Sequence, residues 1–148
     1  MTAQTIETSL GVSGTLDVIP FDADGNPTAQ IWDRTMVNRL DCTIVLNGPF
    51  HGAYHNADSF SLVAYFDPQA GGAHIQVPAA PVPFLGNTGA LTATTLTFQS
   101  PGVPACSISV PVNQPAGPYR VTAVLTHTPT GPNPRIAGFY DMGIIQLF

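Results

Sequence analysis

Tyr119-Arg120-Val121-Thr122-Ala123-Val124-Leu125-Thr126-His127 decides the fold class. Tyr119, Val121, Ala123 and Leu125 fall on one face of an extended chain, and Arg120, Thr122 and Thr126 fall on the other with Val124. A period of two with one apolar side is the mark of a strand with one face buried. Outward from this stretch the pattern recurs. Leu40, Cys42, Ile44 and Leu46 alternate in the same way. Phe60, Leu62, Ala64 and Phe66 do so again, with Val63 and Tyr65 making that strand apolar on both faces. Further runs lie at residues 15–21, 29–36, 74–77, 91–98, 108–112 and 136–148.

The intervals between these runs carry turn chemistry. Asp22-Ala23-Asp24-Gly25-Asn26-Pro27 reads as a hairpin connection, and Asp67-Pro68-Gln69-Ala70-Gly71-Gly72 ends its strand in the same way. Thr128 to Pro134 reads as a loop between the last two strands. Residues 77–89 hold Pro78, Pro81 and Pro83, and each proline removes a ladder donor, so no central strand runs there. With 14 Gly and 15 Pro, the chain is punctuated too often for long helices. The expectation is an all-β, antiparallel β-sandwich of about seven to nine strands without substantial helix. Its 148 residues suit a single domain, residues 1–148. A domain of that length buries roughly 70% of its unfolded surface, enough for a core without metal or disulfide.

The entry to the deciding strand, Pro115-Ala116-Gly117-Pro118-Tyr119-Arg120-Val121-Thr122-Ala123-Val124, resembles the approach to the penultimate strand of immunoglobulin-like and fibronectin type III-like domains. The resemblance implies an Ig-like sandwich in which Tyr119 is a fold corner, its hydroxyl bonded back to the preceding turn. Val121 stands where antibody domains carry their second Cys, and Trp32 precedes Cys42, so the likeness is to the architecture. Such folds host adhesion, recognition and structural roles alike.

Charge narrows the function. Only 9% of residues are charged, against roughly 25% in an average domain. There is no Lys, Glu7 is the only Glu, and the cations are Arg34, Arg39, Arg120 and Arg135. A net charge of −5 with four scattered Arg gives no basic patch for phosphates, so nucleic acid is not an expected partner. No apolar run is long enough for a helical membrane span. The first residues, MTAQTIETSLGVSG, have neither a basic start nor an apolar core of a signal, which implies cytoplasmic synthesis. A surface so poor in charge opposes association weakly, because like-charge repulsion is what keeps neighbours apart.

No motif calls for catalysis, cofactor or metal. Cys42 and Cys106 are both in phase with inward-facing residues, so they either bridge the sheets as a disulfide or act as small core residues; without a secretory signal, reduced thiols are expected. His51 and His55, with Asp58 beyond, have a spacing that would serve zinc on a helix, but Gly48, Pro49 and Gly52 make this a loop. Asp22, Asp24 and Asn26 lack the rest of a calcium loop. No serine sits in a nucleophile elbow, and no glycine-rich phosphate loop precedes a helix. The expected function is therefore a non-enzymatic structural or assembly protein whose partners are itself or other protein subunits. The alternative is an adhesion- or lectin-type binding module using loop aromatics such as Trp32 and Tyr54. The apolar run from Ile136 to Phe148 marks Ile144, Ile145, Leu147 and Phe148 as interface candidates, since edges are usually guarded by Lys and none exists here.

Overall fold

Three long antiparallel strands organise one side of the molecule. β11 (Gly117–Thr128) lies between β5 (Ser59–Pro68) and β12 (Ala137–Leu147). Val121 stands opposite Phe66, and Ala123 stands opposite both Ala64 and Tyr140. Tyr119, Val121, Ala123 and Leu125 are all buried, as the alternation required. The structure is a computed structural model that describes residues 4–7, 13–47, 59–80, 83–85, 90–91, 95–97, 106–128 and 137–148.

The opposite side is built on β2 (Ser13–Phe21) and β4 (Asn38–Asn47), which pair antiparallel along their whole length. β10 (Cys106–Val110) pairs with the first half of β4, and β9 (Thr95–Thr97) with its end. β1 (Gln4–Glu7) joins the two sides, pairing with β12 through Gly138 and with β2 through Leu16. Short strands finish the pattern. β3 (Ile31–Trp32) runs parallel to the end of β12, β6 (Ile75–Val77) and β7 (Pro83–Leu85) edge β5, and β8 (Ala90–Leu91) edges β9. β6 and β10 also touch. The hydrogen bonding is thus one continuous path folded over on itself, β-sandwich-like, around a shared core.

Among the described residues there are twelve strand segments and no helix. The count exceeds the expected seven to nine because several segments are only two or three residues long. Leu16 and Val18 of β2, Leu40, Cys42 and Ile44 of β4, and Phe60, Leu62, Ala64 and Phe66 of β5 meet in the core with Trp32 and Tyr140. Val63 is buried as well, in keeping with a strand apolar on both faces.

The expected strand at residues 29–36 shrinks to Ile31–Trp32. Asp33 ends it: its Oδ1 accepts the backbone N–H of Thr35 at 2.9 Å and the Thr35 hydroxyl at 2.7 Å. The local side-chain acceptor offers the backbone an alternative to the ladder. Asn38 then fastens the turn, its Nδ2 donating to the carbonyls of Asp33 and Met36.

β12 carries the feature that matters most for the surface. Val121 pairs with Gly143 and Thr122 with Asp141, so Met142 has no opposite residue. Gly143 sits at φ +73°. This is a bulge with a left-handed glycine, a geometry that inserts one extra residue and re-aims the side chains beyond it. Gly138, Tyr140 and Met142 point inward before it, and Ile145 and Leu147 point inward after it.

Candidate interaction surface

One end of the molecule collects apolar side chains that the core does not take up. β3, the turn after it and the end of β12 are stitched together by backbone bonds. Phe148 N–H donates to the Trp32 carbonyl at 3.0 Å, Arg34 N–H to the Phe148 carbonyl at 3.2 Å, and Gln146 N–H to the Gln30 carbonyl at 2.8 Å. The loop before β11 joins them, with Asn113 N–H donating to the Arg34 carbonyl at 2.7 Å and Arg34 Nη1 to the Gln114 carbonyl at 3.3 Å.

Trp32 faces inward, fully buried, with its ring 6.2 Å from that of Phe66. Its neighbour Ile31 faces outward and is 67% exposed. Phe148 is 61% exposed. Ile31, Met36 and Phe148 converge on a cleft of about 190 Å³ whose other walls are Asp22, Ala23, Asp24, Asp33 and Asn38. Val37 and Val112, both exposed, belong to the same pair of loops. Ile144 is exposed on the outward face of β12 that ends in Phe148.

The interface candidates of the last strand therefore separate. Ile145 and Leu147 are core residues at 0% and 2% exposure, while Ile144 and Phe148 reach solvent. Strict alternation from Tyr140 would have turned Ile144 inward, and the bulge reverses that. Ile31, Met36 and Val37 were not singled out by the sequence. The signal available was Asp33-Arg34-Thr35, an Asx-type turn that cuts the strand short.

The aromatic expected in a binding loop, Trp32, is instead in the core. Tyr54, His51, His55 and Asp58 lie outside the described residues. The carboxylate oxygens of Asp22 serve its own turn: Oδ1 accepts the N–H groups of Asp24 and Asn26, and Oδ2 accepts Asn26 Nδ2. Those bonds, the Asn26 side chain first, hold its carboxyl below the usual carboxylate range. Among the described residues no group of three or more His, Cys, Asp or Glu is placed to hold a metal ion.

Tyr119 donates its hydroxyl to the Pro115 carbonyl at 2.7 Å and is 2% exposed. Cys42 and Cys106 are both free thiols, and they are register partners on adjacent strands. They do not bridge the two sides of the molecule; they sit side by side within one. His127 is buried in β11 with its ring stacked on Phe60 at 4.8 Å, and His74 is exposed with Tyr65 edge-on. The described cations are engaged on the surface. Arg39 pairs with Asp41 at 3.2 Å and covers the Phe21 ring, and Arg120 pairs with Asp141. No helix is long and apolar enough to cross a membrane among the described residues. No protein-family model, curated protein or solved structure matches the chain.

Proposed function

We propose that this chain is a non-enzymatic structural subunit with an immunoglobulin-like β-sandwich fold, and that it self-associates or packs into a larger particle through the surface formed by Ile31, Met36, Ile144 and Phe148. One observation carries the reading: Ile31, Met36 and Phe148, large apolar side chains exposed at 46% to 67%, converge from two separate parts of the chain on one cleft. Scattered single apolar residues are ordinary on a surface, whereas a contiguous group rimmed by polar residues marks an interaction site. The surroundings do little to oppose contact, since the chain has no Lys and 9% charged residues.

The architectural part rests on pairing and on one hydrogen bond. Immunoglobulin-like sandwiches divide their strands as A-B-E-D and C-F-G. Taking β2, β4 and β10 as A, B and E, and β5, β11 and β12 as C, F and G, gives those neighbours. The hydroxyl of Tyr119 meets the carbonyl four residues upstream at the start of the F-like strand, as a tyrosine corner does.

Light scattering on a sizing column, repeated by sedimentation velocity, tests the function. The wild-type chain is expected to be oligomeric, and Ile31→Asp and Phe148→Asp are expected to give monomer with unchanged thermal melting. Wild-type monomer at high micromolar concentration would refute self-association. So would an assembly that both variants leave intact.

A further inference from the structure

We propose that Cys42 and Cys106 form a thiol–disulfide exchange site, a cross-strand dithiol oxidised reversibly by low-molecular-weight disulfides, with Cys106 attacking and Cys42 resolving. Antiparallel register places Cys106 of β10 directly opposite Cys42 of β4, followed by Ile108 opposite Leu40 and Val110 opposite Asn38 on the same core-facing side. Directly opposed side chains in an antiparallel pair have Cβ atoms about 4.5–5.5 Å apart. A disulfide spans about 3.5–4.5 Å between Cβ atoms. A small inward shift of one strand closes that gap.

β10 is the strand able to shift. Among the described residues it is paired on one side only, with β4, whereas β4 is held by β2 along its length. Access divides the roles. Cys106 is partly exposed and Cys42 is 0% exposed, so a small disulfide reaches Cys106 first. The thiol contact with Cys106, and then burial, push the Cys42 thiol well above its usual range, which keeps it a neutral donor towards its neighbour. The thiolate is the attacking species, and the sulfur that a small disulfide can reach is that of Cys106.

The exchange balances without any further reactant. Cys106 thiolate attacks one sulfur of the small disulfide; a new S–S bond forms, the old one breaks, and one thiolate leaves. Cys42 then attacks the Cys106 sulfur of this mixed disulfide, giving up its proton to the second departing thiolate. Two protein thiols are oxidised to one disulfide, and one small disulfide is reduced to two thiols. A bridge that draws two ladder positions together is strained, and strained disulfides are the readily reduced ones. The site thus switches the edge strand β10 between a hydrogen-bonded and a covalent attachment to β4. This inference is independent of the proposed assembly.

Native wild-type protein treated with glutathione disulfide, quenched by alkylation and weighed intact, tests it. The expected product has lost two hydrogens, resists alkylation at both cysteines, maps to a peptide joining residues 42 and 106, and reverts with dithiothreitol. Cys42→Ser should stop at a glutathione adduct on Cys106, and Cys106→Ser should react about tenfold or more slowly, because the buried Cys42 waits for local opening. Each of three results would overturn the proposal: a wild type that accumulates the adduct without an internal disulfide, one that reacts only in denaturant, or one that reacts no faster than Cys106→Ser. The first two of these are read on the wild type alone and decide the matter if either variant fails to fold.

Discussion

Tyr119 shows how one side chain serves two roles. Its ring packs edge-on to Phe66 in the core, 6.2 Å between centroids, while its hydroxyl satisfies the carbonyl of Pro115 in the turn outside. Tyr119→Phe keeps the ring and leaves that carbonyl short of a donor. The variant should lose about 0.5–1.5 kcal/mol in denaturant melts, the net worth of an ordinary hydrogen bond. An unchanged melt would mean that the corner bond does not support the fold. Tyr140 makes a prediction about pH. Burial, and then the Asp17 carboxylate beside it, raise its pKa from 10.0 to about 12. The raised value means the folded state holds its proton while the unfolded state begins to release one. This contribution is therefore complete below pH 10.0 and is lost as pH rises through about 12. Denaturant melts across that window should show a decline that Tyr140→Phe blunts.

At the scale of the element, the bulge in β12 decides what the molecule presents to solvent. A strand side-chain period of two means that one extra residue exchanges inside for outside beyond it. Met142 is that residue, and Ile145 and Leu147 enter the core as a result while Ile144 faces out. Asp141 supports the geometry, its Oδ1 accepting the Gly143 N–H at 3.0 Å. Gly143 at φ +73° holds a left-handed conformation in which a Cβ is costly. Gly143→Val should destabilise the fold by about 1–3 kcal/mol, the scale of a non-glycine residue forced into that region. Chemical melts check the magnitude. A neutral result would mean that the strand tolerates another register.

For the whole molecule, stability comes from one core enclosed by a continuous ladder, with Trp32, Tyr119, Tyr140, Phe60 and Phe66 among its largest members. Metal is not needed to explain it. The Asp22 oxygens are committed to Asp24 and Asn26, and the Asp33 carboxylate to Thr35. EDTA is therefore expected to leave the melting temperature unchanged. A drop reversed by zinc or calcium would overturn that reading and direct attention to the residues around His51 and His55. Surface ion pairs such as Arg39–Asp41 are worth little, so added salt should change stability only slightly.

The all-β class was legible from residue order alone, because alternation at Tyr119–Leu125 and at Leu40–Ile44 is a local property that burial then obeys. The Asp22 turn and the end of the Phe60 strand were legible for the same reason: turn chemistry acts over a few residues. Register lies beyond that range. That Cys106 stands opposite Cys42 depends on how β10 docks on β4, and nothing local to either cysteine encodes it. The burial of Trp32 depends on a parallel pairing with the distant end of β12. The grouping of Ile31, Met36 and Phe148 at one end arises from the same pairing, together with the turn that cuts β3 short. Local periodicity selects the strands, whereas non-local pairing and one inserted residue decide which side chains meet and which remain exposed.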